Sequence, residues 1–410
     1  MKFEKKRVGL MKKWVICVLA VLLILLGSCQ NREDVSKSLG AEQQGSSGVK
    51  PPAGQSSHSA LYPQEWEDHG IFSASYEKAY LLLQSMTLEE KAGQIFQVRC
   101  PQEGEEIEQI SAYYPGGYVL FGKDFQGKTK EQVSAAIQSY QKASKIPMLM
   151  ATDEEGGEIV RISSNPNLAE QRFLSPQQAY QNGGLNGIRA DALSKAALLK
   201  KLGVNVNLAP VCDVSTNPGD YIYNRTLGQG AEETAEFVAA VVASMNEEGI
   251  SSTLKHFPGY GNNADTHTGI ANDQREYSQF EQVDFVPFQR GIQAGAQCVL
   301  VSHNIVRCMD KQYPASLSPK VHDVLRQELG FTGVIVTDDL AMGAIRDYTG
   351  GNNPAVQALL AGNDMLMVDD PAEYVKAILN GIADGTISQK TLDRAVFRVL
   401  AWKYQMGLIQ

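Results

Sequence analysis

The sequence predicts a single (β/α)8 barrel of the TIM type, preceded by a signal segment and a tether. Eight short apolar runs alternate with longer polar or amphipathic stretches over about 320 residues, the repeat expected of parallel strands joined by crossover helices. Five of those runs end in polar clusters: "TDEEGG" after the third, "CDVSTNPGDYIYNR" after the fourth, "KHFPGYG" after the fifth, "SHN" after the sixth and "TDD" after the seventh. In an α/β barrel the active site lies at the C-terminal ends of the strands, so these clusters converge on one pocket. A doubly wound sheet is the runner-up, but no glycine fingerprint follows the first run.

The N-terminus reads as a targeting segment. Lys2, Lys5, Lys6, Arg7, Lys12 and Lys13 precede the apolar run "WVICVLAVLLILL", which is shorter than the ~20 residues a spanning helix needs. It ends in "LGSC", Leu26 to Cys29, which resembles a bacterial lipobox. The expectation is export, cleavage after residue 28, and a lipid on Cys29 that anchors the protein to the outer face of the cytoplasmic membrane or to the cell envelope. Residues 1–28 hold six Lys/Arg and one Glu, a charge of +5, so their removal takes the net charge from −9 to −14. Such an acidic chain is a poor partner for nucleic acid, whose phosphates require a basic face. Residues 29–60, rich in Gln, Ser, Gly and Lys, are too polar to bury a core and read as a flexible tether. Residues 61–410 form the expected catalytic domain.

Helical spacing begins at "SYEKAYLLLQSM", so packing is expected from about Tyr76. Thr87 and Glu90 then stand in capping-box spacing. The expected strands are 94–99, 117–122, 147–152, 204–210, 251–257, 297–303, 333–339 and 363–369. "GAEETAEFVAAVVASMNEEG" and "SPKVHDVLRQELG" are expected crossover helices. A last amphipathic helix, "TISQKTLDRAVFRVLAWKYQMGL", is expected to end the fold without a further domain. Cys100, Cys212, Cys298 and Cys308 show no metal spacing; three flank apolar runs and read as buried thiols, and a Cys298–Cys308 disulfide stays open.

The clusters lack a metal pattern, a P-loop, a nucleophile elbow and a dinucleotide fingerprint. They supply carboxylates, histidines and cations able to grip hydroxyls, a set suited to glycoside hydrolysis. Asp338 or Asp339, at the end of an apolar strand, suits a nucleophile, the other suits a cap, and adjacent strand residues point to opposite sides. Glu154 and Glu155 are candidates for the second, proton-transferring group, as is the Asp265–His267 pair in "KHFPGYGNNADTHTG", where the aspartate can fix the histidine tautomer.

"TDEEGGEIVR", "DVSTNPGDYIYNRTLG", "KHFPGYG…ADTH" and "VIVTDDLAM" resemble, in order and in position, the motifs of glycoside hydrolase family 3, in its β-N-acetylhexosaminidase branch. The resemblance runs from about Met86 to Leu408. It implies Asp338 as the nucleophile, His267 as the acid/base and Asp265 as its partner. It also implies a sugar held by Asp153, Arg161, Arg225, Lys255 and His256; a plain structural ion pair is the alternative for the two arginines. The implied activity is a retaining β-N-acetylglucosaminidase on cell-wall or related glycans, monomeric, without metal or organic cofactor. Tyr260 stands where the family form has the histidine of Gly-His-Gly, and Glu158 stands at a position that is often basic. Three alternatives remain: a lipid-anchored sugar-binding protein, a β-glucosidase-type member and a phosphorolytic member.

Overall fold

A computed structural model describes residues 61–266 and 269–410. The predicted signal segment, Cys29 and the tether lie outside the described residues, as does His267.

Among the described residues ten strands are numbered in chain order, and eight form one parallel ring. These eight are β1 (Phe96–Arg99), β2 (Gly117–Leu120), β3 (Leu149–Thr152), β4 (Val206–Asn207), β5 (Ser251–Phe257), β7 (Cys298–Val301), β9 (Val334–Thr337) and β10 (Leu366–Val368). The remaining two, β6 (Asn272–Asp273) and β8 (Ile305–Val306), pair only with each other. Along the ring each strand pairs with the next, from β10 through β1 to β9. Closure comes from a parallel bridge between Val336 and Met365, with the Met365 amide 3.0 Å from the Ile335 carbonyl. The predicted (β/α)8 barrel is therefore the observed fold.

Every residue of β2, β3, β7 and β9 is buried, as expected for strands covered on both faces, which read as unbroken apolar runs. All eight expected strands are present, and β5 has the predicted bounds. The largest contraction is at β4, which keeps two of the seven predicted residues. Pro210 has no amide to give a ladder, and the Asn205 side chain accepts the Met150 amide at 2.8 Å in place of a backbone partner. The two-residue strands β6 and β8 lie below any period that a sequence reveals.

The capping box at Thr87 and Glu90 forms as predicted and opens the helix Leu88–Gln94. Packing begins earlier than Tyr76: the Tyr62 and Trp66 rings lie 5.8 and 5.2 Å from that of Phe397, on the last helix. That helix, Gln389–Gln405, plugs the N-terminal end of the barrel. Its Trp402 reaches the barrel interior beside Val206 and Val336, and its indole N–H donates to Gln297 Oε1 at 2.8 Å. Next to it, Lys403 is fully buried and donates to Gln94 Oε1 at 2.7 Å. Burial lowers the Lys403 ammonium to about 7. The predicted crossover at 318–330 is an α-helical turn, Pro319–Asp323, continued by a π-helical turn, Val324–Glu328. Cys100, Cys212, Cys298 and Cys308 are all free thiols, the first three buried. Among the described residues no cluster of His, Cys, Asp and Glu could hold a metal ion.

Candidate active site

The C-terminal ends of β3, β4, β5 and β9 carry the predicted site residues, and the barrel draws most of them into one network. Asp153 directly follows β3. Its carboxylate accepts from Lys255 Nζ at 2.8 Å and lies 3.4 Å from the Arg161 guanidinium. Two residues on, Glu155 is buried and takes a bidentate pair from Arg225, at 3.0 Å from Nε and 2.8 Å from a terminal nitrogen. Lys255 Nζ is also 2.6 Å from Glu155, so one ammonium joins both carboxylates. Arg225 continues the chain to His256, whose Nε2 lies 3.1 Å from the guanidinium.

These contacts set the charge states. Burial alone would push the Glu155 carboxyl up, but Arg225 and Lys255 overcome it and hold it far below the usual carboxylate range. Burial would likewise depress the Lys255 ammonium, yet Asp153 and Glu155 raise it above its ordinary value. Glu155 is therefore a fixed anion that positions cations. Glu154 is committed as well. Fully buried, it accepts the amides of Arg161, Ile162 and Ser163 at 2.9, 2.7 and 3.2 Å, together with the Ser163 hydroxyl. It folds the loop that delivers Arg161. Both glutamates thus drop out as candidates for proton transfer. Gly156 makes the turn between them and that loop, at φ +102°, where a Cβ would sit 2.0 Å from the Leu174 carbonyl oxygen.

Arg161 is the least committed cation of the set. Its guanidinium lies 5.4 Å from the Phe121 ring centroid, and its buried Nε donates to no group among the described residues. That donor is available to a bound hydroxyl or carbonyl oxygen. Arg225 is paired with Glu155, so any contact with a ligand would be made from inside the network.

The β5 end is built on Asp213, a fully buried carboxylate that follows β4. One oxygen takes the His256 ring nitrogen Nδ1 at 2.7 Å and the His256 amide at 3.2 Å; the other takes the Tyr260 amide at 2.6 Å. The Ala209–Pro210, Lys255–His256 and Phe257–Pro258 peptides are cis. Just before Tyr260 the loop is held by Arg275, which pairs with Asp273 and Asp284 and donates to the Gly259 carbonyl at 2.9 Å. Asp265 lies near the Tyr221 phenol. Burial raises the pKa of that phenol first, and Asp265 adds to the rise while Arg225 opposes it.

The two adjacent aspartates differ in their hydrogen bonding rather than by strand alternation. β9 ends at Thr337, and both lie in the turn beyond it. The Asp338 amide still donates to the Val301 carbonyl at 2.9 Å, which keeps its backbone on the barrel ladder. Asp339 is spent on structure. Its carboxylate is paired with Arg99 and accepts the Ala341 amide at 2.9 Å, and its carbonyl oxygen lies 2.9 Å from His303 Nε2. Burial raises the Asp339 carboxyl, and Arg99 works against that rise. Asp338 is half-buried, its carboxylate holds the Asp339 amide at 2.8 Å, and its charge contributes to raising the Tyr260 phenol, mainly raised by burial.

Sequence reasoning missed Arg99, Asp213, Tyr221 and His303 as site residues. Arg99 ends the first strand and His303 lies in the "SHN" cluster, so strand-end position was the available signal for both. Asp213 and Tyr221 lay inside a recognised cluster without a pattern to single them out.

Residues 87–402 match the model of the glycosyl hydrolase family 3 N-terminal domain. A beta-hexosaminidase of Nitrosomonas eutropha is 34% identical over 283 residues, covering 68% of this chain and 80% of the relative. A family 3 beta-N-acetylglucosaminidase structure from Paenibacillus sp. FPU-7 superposes with a TM-score of 0.74 at 28% identity, covering 79% of this chain. This chain spans 63% of that protein's length. A beta-N-acetylhexosaminidase structure from Beutenbergia cavernae gives a TM-score of 0.70 at 29% identity, covering 78% of this chain and 99% of the other. With the family match running through the whole barrel and every strand-end cluster, the chain belongs to glycosyl hydrolase family 3 and is a glycosidase.

Proposed function

We propose that this protein is a retaining exo-β-N-acetylglucosaminidase that removes terminal β-linked GlcNAc from cell-wall or related glycans. The observation that carries the mechanism is the unequal pair of aspartates. Asp339 is held by Arg99 and Ala341, while Asp338, half-buried with its amide on the barrel ladder, is the carboxylate that the family motif marks for attack on an anomeric carbon. In the first step Asp338 forms a bond to that carbon while His267 gives its proton to the leaving oxygen. In the second, His267 takes a proton from water, whose oxygen displaces Asp338 and releases the sugar with its configuration retained. Asp265 holds the His267 tautomer. Asp153, Arg161 and Lys255, with Arg225 and His256 behind them, orient the sugar hydroxyls. The names of the relatives support GlcNAc as the sugar.

Hydrolysis of an aryl β-GlcNAc is expected to exceed that of the matching β-glucoside by at least about a hundredfold in kcat/KM, the scale of discrimination that polar recognition supports. His267→Ala is expected to lose about 10²–10⁴ in kcat on poor leaving groups. Equal rates on both glycosides would overturn the assignment of the sugar. Binding of GlcNAc without turnover would favour a sugar-binding protein, and GlcNAc-1-phosphate formed in phosphate buffer would identify a phosphorolytic enzyme.

The LGSC segment supports a second proposal: the enzyme is exported and anchored through a lipid on Cys29. Labelled palmitate should enter the wild-type protein in cells and not Cys29→Ala. Equal labelling of both would refute the anchor.

A further inference from the structure

The segment between the sugar grip and the proposed acid/base carries a device that the mechanism has not used. Tyr260 is 3% exposed, yet its hydroxyl is not buried for packing alone. It lies 2.5 Å from Thr266 Oγ1 and accepts the Thr266 amide at 3.0 Å. Thr266 is fully buried and is the residue immediately before His267. From the opposite side, the Ala344 amide donates to the Thr266 carbonyl at 3.3 Å, and Ala344 lies six residues beyond Asp338. The Tyr260 amide is fixed by Asp213, the carboxylate that also holds His256. Its carbonyl takes the Asn263 side-chain amide at 2.8 Å. The ring stands edge-on to His256, 5.5 Å between centroids, and 5.8 Å from Tyr221.

We propose that Tyr260 is a positioning residue of this site: its hydroxyl latches Thr266, and holding that residue assists the proton transfer assigned to the next one in the chain. The proposal rests on the reading of His267 as the acid/base. Three points support the latch over simple packing. The phenol makes two bonds to one loop residue, whereas a ring kept for packing would need none. Its backbone is tied to the carboxylate that orients His256, so grip and latch share one rigid base. Gly259 and Gly261, at φ +128° and +56°, flank Tyr260, and a Cβ on Gly261 would sit 2.5 Å from the Arg275 guanidinium carbon. The backbone is thus shaped to bring that one side chain inward.

A positioned general acid matters most where the leaving group is poor. Tyr260→Phe keeps the ring and removes only the hydroxyl. It is expected to lower kcat about tenfold on an unactivated GlcNAc disaccharide, the effect of losing one well-placed hydrogen bond. KM should change less than twofold, and the loss should shrink on a dinitrophenyl β-GlcNAc, whose leaving group needs little protonation. Thr266→Val removes the hydroxyl bond of the latch and keeps the amide bond, and should show a smaller loss with the same leaving-group dependence, which covers the case in which Tyr260→Phe fails to fold. An equal loss on both substrates in either variant, or no loss on the disaccharide, would overturn the latch. The experiment includes His267→Ala. Loss in His267→Ala with none in the latch variants refutes the latch alone, whereas full activity of His267→Ala on the disaccharide refutes the acid/base reading beneath it.

Discussion

Asp338→Asn is expected to lower kcat/KM on an aryl β-GlcNAc by about ten-thousand-fold, the scale on which removal of a covalent nucleophile acts. The amide is isosteric, and its oxygen can still accept the Asp339 amide that Asp338 holds at 2.8 Å. Folding stability should therefore change little, and the variant should retain affinity for GlcNAc, because Asp153, Glu155, Arg225 and Lys255 are held together by their own contacts. The loss should appear in the bond-forming step: no burst of aryl leaving group in a stopped-flow trace, with substrate binding intact by calorimetry. Activity within tenfold of wild type would remove Asp338 from the mechanism. It would also transfer attention to Asp339, which the Arg99 pair and the Ala341 amide now mark as structural.

Glu155→Gln should be the most damaging single change to stability among the residues of the site. Glu155 is buried and is the shared anion of Arg225 and Lys255, both themselves almost wholly buried. Removing one partner of such a pair leaves uncompensated cations and typically costs about 3–5 kcal/mol. The denaturation midpoint should fall with an unchanged m-value. The same residue sets an acid limit. Its folded-state pKa lies below the ordinary value of 4.5, so its stabilising contribution is complete above that value and is lost as pH falls through and below it. Wild type should therefore lose stability on acidification through pH 4.5 more steeply than Glu155→Gln. Equal acid slopes for the two proteins, or an unchanged midpoint at pH 7, would show that the network does not hold the folded site together.

The strands were legible because a parallel barrel buries both faces of each one, so "GVIVTDD" and "QCVLVSH" announce themselves as unbroken apolar runs. Their ends were less legible. At β4 a side chain, Asn205, and a residue without an amide, Pro210, replaced ladder positions that the apolar pattern counted as strand. Asp153, Arg161, Arg225, Lys255 and His256 lay in the polar clusters that follow the strands and were singled out by the family resemblance, and the barrel does gather them. Arg99 was not, because a single arginine at the end of "QIFQVR" gains its meaning only from Asp339, 240 residues away. The choice between Glu154, Glu155 and the loop pair was likewise closed to pattern reasoning. Two adjacent glutamates look alike in sequence, and only their partners show that one folds a loop while the other anchors cations.

The sequence by itself determined the barrel, the end of it that carries the site, and the residue types gathered there. It could do so because burial period and strand-end position are local properties of the chain. Only the tertiary structure decided which carboxylates are spent. Arg99 claims Asp339, Arg225 and Lys255 claim Glu155, and Asp213 ties His256 to Tyr260. Those assignments depend on charges brought within about 3 Å across the barrel mouth, where low dielectric makes each pairing strong and an unpaired charge costly.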